Sequence, residues 1–121
     1  MTIDVEDWYH VCGAEERVSL LTSERRVRRN VELILELLEE EGCKATFFML
    51  GSVAEQEPDL LPLIASAGHE IASHGYSHRL VPELGATAFR EELRRTADII
   101  GRQAKVFPAG FRAPRWSLTH E

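Results

Sequence analysis

Hydrophobic and polar positions change period several times along this 121-residue chain. Residues 2–6, TIDVE, alternate and then end in acid, which predicts a strand. Residues 23–42, SERRVRRNVELILELLEEEG, shift to helical spacing. There Val27, Val31, Ile34, Leu35 and Leu38 share one face, with Ser23 as N-cap and Gly42 as the stop. KATFFML, residues 44–50, is a short unbroken apolar run and predicts a strand buried on both sides. EPDLLPLIASAG, residues 57–68, predicts a second helix with Pro58 at or near its first turn, Pro62 in that turn and Gly68 at its end. HEIASHG, residues 69–75, predicts a third strand that breaks at glycine. ATAFREELRRTADIIG, residues 86–101, predicts a third helix capped by Thr87, with Phe89, Leu93, Ala97 and Ile100 as its buried stripe. KVFPAGFRAP, residues 105–114, predicts a fourth strand with an irregular end.

The order β-α-β-α-β-α-β defines the class as α/β, with parallel strands joined by right-handed crossovers. In a parallel sheet all strands end on one side, and that rim is where such folds hold their chemistry. The chain places Asp4, Glu6, Asp7 and Trp8 after its first strand, and Gly51 and Ser52 after its second. His74 and His78 follow the third, and Arg112, Pro114 and Trp116 the fourth. Acids, imidazoles and a guanidinium thus converge on one edge.

Composition narrows the partners. Twenty acidic against fourteen basic residues give a net charge of -6, which excludes binding to nucleic acid through a basic face and docking on anionic membranes. An apolar fraction of 44% fits a globular domain, and no apolar run approaches the roughly 20 residues that span a bilayer. The acidic N-terminus has no signal-peptide character, so the expected location is cytoplasmic, with Cys12 and Cys43 as reduced thiols.

Two neutral imidazoles and one carboxylate form a common donor set for a divalent transition metal with an open position. A cation so held polarises a carbonyl oxygen and lowers the pKa of water to about 7. A second carboxylate can take a proton, and an adjacent arginine orients that carboxylate and favours its charged form. Such a set suits hydrolysis of an amide or ester. Each piece alone also has a plainer reading: two histidines on a polar loop, an acidic strand end, an arginine bracing a helix. Near the same rim, Cys12 reads as a packed thiol and His10 as a surface histidine. Tyr76, Trp8 and Trp116 read either as walls for a sugar ring or as hydrophobic cover.

TIDVEDW, SHGYSH preceded by GHEIA, and FRAP resemble the first three motifs of the polysaccharide deacetylase family, also called the NodB-homology domain or carbohydrate esterase family 4. ATFFMLGSVAE resembles the family's second strand and turn, and TIDVEDWYHV resembles its subgroup associated with exopolysaccharide loci. The likeness runs from Thr2 to about Ser117. It implies a distorted (β/α) barrel and metal-dependent removal of N-acetyl, or sometimes O-acetyl, groups from an acetylated polysaccharide or oligosaccharide. It implies His74 and His78 as metal ligands, Asp4 as general base and Arg112 as the group that orients it. The family's first motif usually has two adjacent aspartates. Here Val5 takes the second position, so on a D-x-D pattern Glu6 becomes the ligand, with Asp7 competing for that role. Trp8, Tyr76, Pro114 and Trp116 become candidate substrate contacts, and Arg115 stands where an aromatic residue often follows the proline. Zinc is the implied metal, with cobalt or another divalent ion as an alternative.

The resemblance also sets expectations about extent. Residues 1–121 read as the N-terminal part of such a domain, a partial barrel with about four βα units of an expected seven or so. The family's later motifs, one of which supplies a histidine acid, are not found, and His120 follows the fourth strand too closely to serve. A partial barrel bares strand edges and apolar surface, which predicts self-association, and a fragment lacking its acid is expected to hydrolyse little. Three other readings stand beside this one. They are a receiver-like metal-binding signalling domain, a hydrolase of small cyclic amides on the same scaffold, and a non-catalytic remnant.

Overall fold

The computed structural model describes residues 1–12 and 26–119. Three parallel strands, β1 (Thr2–Val5), β2 (Thr46–Met49) and β3 (Glu70–Ser73), form a sheet in the order β1-β2-β3. The helices are α1 (Trp8–Cys12), α2 (Val27–Glu40), α3 (Gly51–Gln56), α4 (Leu60–Ser66) and α5 (Val81–Ala104), followed by a 3-10 turn at Pro114–Trp116. This is the α/β arrangement that the hydrophobic pattern predicts.

The register aligns Ile3 with Phe47 and Ile71, and Val5 with Met49 and Ser73. That face meets Val31, Leu35 and Leu38 of α2, Leu60, Leu61 and Ile64 of α4, and Ile99 and Ile100 of α5 in one buried core. The opposite face carries Thr2 and Asp4 beside Thr46 and Phe48, with Phe48 only half-buried. The apolar run KATFFML is therefore buried on one side and partly open on the other. Its open side is covered by the Arg112 guanidinium, 4.0 Å from the centre of the Phe48 ring.

Three elements depart from expectation. The residues after β2 form the short helix α3, which is too polar and too brief to leave a hydrophobic period. Helix α5 runs from Val81 with a break at Gly85 (φ 71, ψ 164), so the expected helix is the segment after Gly85 and a short helical turn precedes it; the N-cap is Leu80, and Thr87 lies inside the helix. Its buried residues are Thr96, Ile99 and Ile100, while Phe89, Leu93 and Ala97 are half-buried. The segment expected as a fourth strand follows β3 but makes only an isolated parallel bridge between Ser73 and Phe111. Hydrogen bonds from Ala109 N to Ile71 O, Ser73 N to Gly110 O and Arg112 N to Ser73 O hold it there. Pro108 has no N–H to donate, and Gly110 adds no side chain, so the ladder does not extend. The Ser23 cap lies outside the described residues, and Arg26 occupies the N-cap of α2.

Candidate metal centre

Glu6 leaves the end of β1 and His74 the end of β3, and a tight turn brings His78 back beside both. Glu6 Oε2 lies 2.7 Å from His78 Nε2 and 3.7 Å from His74 Nε2. One donor atom from each of the three residues lies within 4.8 Å of the others, and among the described residues no other group of three such side chains does so. Both imidazoles are buried. His74 Nδ1 donates to the Arg112 carbonyl at 2.8 Å, which fixes the tautomer and leaves Nε2 with a bare lone pair facing Glu6. Glu6 Oε2 is buried and makes no well-aligned hydrogen bond despite its short distance to His78. A buried carboxylate oxygen without a proper donor, facing two ring nitrogens, is the donor set that a divalent cation completes.

The electrostatics agree with that fit. Burial pushes the Glu6 carboxyl up, but the neighbouring imidazoles of His78, His74 and His10 outweigh it and leave the group below its usual range. Burial pushes the His74 imidazole below its usual value, and the pull of Asp4, the Arg112 carbonyl and Glu6 restores only part of the shift. An ionised carboxylate and a neutral imidazole are the forms that bind metal.

The turn between the histidines has a demanding backbone. Gly75 has φ 84 and His78 has φ 63, a left-handed value costly for a residue with a side chain. Backbone donors of α3 grip this turn from one side: Gly51 N to Gly75 O at 2.9 Å, and Ser52 N to Tyr76 O at 3.2 Å. A Cβ on Gly51 would lie 2.6 Å from both Thr96 Oγ1 and Tyr76 Cδ2, so only glycine allows this approach.

Asp4 and Arg112 sit beside the trio. Arg112 donates to Asp4 Oδ1 at 2.7 Å and to Thr2 Oγ1 at 2.9 Å. Both line a cleft of about 450 Å³ together with Glu6, His74, His78 and Trp116. Trp116 is 92% exposed and lines the same cleft.

Other sequence candidates fall elsewhere. Asp7 is buried and turned away from the trio; its carboxylate accepts from Trp8 N at 3.0 Å and Arg26 N at 3.3 Å. Glu6 is therefore the carboxylate placed to bind. Tyr76 does not line the cleft. Its hydroxyl donates to Glu55 Oε2 at 2.7 Å, and its ring lies under the Arg95 guanidinium, 3.7 Å away. Trp8 is half-exposed and meets Tyr9 edge-on, and Pro114 is buried; neither lines the cleft. His10 is buried rather than superficial. Its Nδ1 accepts from Asp7 N, and its ring centre is 6.2 Å from that of His78. Sequence reasoning also missed Glu92, which reaches the turn from α5; no local signal marks one glutamate among the acids of an amphipathic helix. His120 lies outside the described residues.

An α/β scaffold with a two-histidine, one-carboxylate trio at the carboxyl ends of its strands defines the class. The chain belongs to the polysaccharide deacetylase family, whose model matches residues 13–121. A peptidoglycan-N-acetylglucosamine deacetylase of Bacillus cereus is 37% identical over 81 residues, which are 67% of this chain and 30% of that protein. The solved structure of the Bc1960 peptidoglycan N-acetylglucosamine deacetylase superposes with a TM-score of 0.77 at 27% identity, over 98% of this chain and 47% of that one. BA3943 of Bacillus anthracis, described as a CE4 family pseudoenzyme, superposes with a TM-score of 0.76 at 21% identity, over 99% of this chain and 37% of that one. At that identity the likeness shows the fold alone. The chain thus spans under a third of its curated relative and under half of either solved chain.

Proposed function

We propose that this chain carries the metal-binding part of a deacetylase that hydrolyses N-acetyl groups on an acetylated polysaccharide or oligosaccharide. The observation that supports this most is the shared cleft of the trio Glu6, His74 and His78 with the Asp4–Arg112 pair. A fold that also occurs in a pseudoenzyme cannot carry the argument, so the side chains must.

His74, His78 and Glu6 would hold the cation, and the mixed nitrogen and oxygen donors suit zinc, with cobalt or another divalent ion as competitor. Bound there, such an ion supplies a Lewis acid for the acyl oxygen and lowers the pKa of water. Asp4 is the base that takes a proton from the attacking water, and Arg112 holds its carboxylate toward the cleft. Trp116 offers its indole face to the sugar. Protonation of the leaving amine is assigned to no described residue; because the chain spans 30% of its curated relative and 47% of a solved one, we read it as the N-terminal part of a larger catalytic domain. Membership of the family sets the receiver reading aside.

Acetate release from an N-acetylated chito-oligosaccharide by the zinc-loaded chain tests the proposal. Slow release is expected, abolished by a chelator and lowered by about 10²–10⁴-fold in Asp4→Asn. Absence of metal-dependent release, or release indifferent to Asp4, counts against it.

A further inference from the structure

We propose that Glu92 is a positioning residue for the metal centre: its carboxylate ties the turn that aims His78 at Glu6. The inference rests on the reading of Glu6, His74 and His78 as a metal site and extends it to a residue on α5.

The turn has a problem of its own making. Gly75 and His78 adopt left-handed backbone conformations, and those values bring the two imidazole centres within 5.4 Å. For His78 this conformation is costly, so surrounding contacts must hold it. The carbonyls of Gly75 and Tyr76 are taken by α3, as described above. The N–H groups of Tyr76 and Ser77 are part-buried and need acceptors of their own, since a donor shielded from water and left unpaired is destabilising. Glu92 supplies them. Its Oε2 accepts from Tyr76 N at 3.1 Å and Ser77 N at 3.3 Å, while Oε1 accepts from the Ser77 hydroxyl. Three donors converge on this one carboxylate, and hydrogen bonds to a carboxylate are stronger than those to a neutral acceptor of the same geometry.

The carboxylate is also well anchored. One turn further along α5, Thr96 is buried, and Ile99 and Ile100 fix the helix in the core. Glu92 itself neither belongs to the trio nor lines the cleft. Whatever it does for the metal must pass through the turn, and His78 is the residue immediately after Ser77.

The test uses the full 121-residue chain with Co²⁺ as the probe. Affinity is read by calorimetric titration, coordination geometry by visible absorption, and folding by denaturation without metal. Glu92→Gln keeps the volume and one acceptor oxygen, whereas Glu92→Ala removes all three bonds. We expect wild type to bind Co²⁺, Glu92→Ala to bind about 10–100-fold more weakly with an altered spectrum, and Glu92→Gln to fall between them while keeping the wild-type denaturation midpoint. If Glu92→Ala does not fold, Glu92→Gln decides: weaker binding at an unchanged midpoint supports the role. Wild-type affinity and spectrum in the folded variants overturn the role of Glu92 while leaving the metal site standing. So does a loss of affinity that only tracks the unfolded fraction. A wild-type chain that binds no Co²⁺, or a His78→Ala chain that binds as well as wild type, removes the site itself and the inference with it.

Discussion

At the scale of single residues, the choice of ligand turns on where two neighbouring carboxylates point. Asp7 spends its oxygens on backbone N–H groups at the starts of α1 and α2, whereas Glu6 Oε2 faces two ring nitrogens without a well-aligned donor. The acids after β1 and the histidines after β3 were legible as candidates from strand ends alone. Which acid turns inward was not, because adjacent residues point to opposite sides and the sequence does not fix the twist. Tyr76 misled for a related reason: an aromatic between two candidate ligands suggests a pocket wall, but Arg95 and Glu55 draw it onto the helices. Away from the cleft, His69 offers a prediction. Its Nδ1 accepts from Ala45 N at 3.3 Å, and burial, with the nearby charge of Lys44, pushes its pKa below the usual value. The neutral ring is therefore favoured in the folded state, and the unfolded chain binds the proton first. The stability it contributes is present above about pH 6.5 and is lost as pH falls toward the lowered folded value. Denaturation midpoints of wild type and His69→Gln should converge between pH 7.5 and 5.5; a difference constant over that range contradicts this account.

Elements were read best where a long period exists. The stripe of α2 emerges as expected: Val27, Val31, Leu35 and Leu38 are buried and Ile34 is half-buried. β1, β2 and β3 lie inside the runs that predicted them. Short or interrupted elements were not legible. α3 has six residues and its start is set by contacts with the turn, not by its own pattern. The early turn of α5 is separated from the rest by Gly85, a break that reads in sequence as a helix start. The packing of α3 against the turn predicts that Gly51→Ala destabilises the chain by about 1–3 kcal/mol, because the new Cβ must displace the Thr96 and Tyr76 side chains. Thermal or chemical denaturation measures this, and a neutral Gly51→Ala would show that the turn can retreat at no cost.

For the whole molecule, the sheet is open on one side: β1 is an edge strand, with β2 as its only partner among the described residues. Phe107 is 86% exposed, and Leu118 lies exposed beyond Trp116. Unpaired edges and apolar surface of this kind favour association. Sedimentation velocity over a concentration series should show species larger than the monomer at the higher loadings; a monomer throughout would count against this. No helix among the described residues is long and apolar enough to cross a membrane. The central claim needs β1, β3 and the turn after it to meet at one ion, so metal content reports on the whole arrangement at once. The most direct measurement is zinc stoichiometry after dialysis, in wild type and in Glu6→Ala, His74→Ala and His78→Ala. The account predicts one zinc per wild-type chain and loss of bound metal in each variant. Zinc content unchanged by these substitutions, or no zinc retained by the wild-type chain, would contradict it.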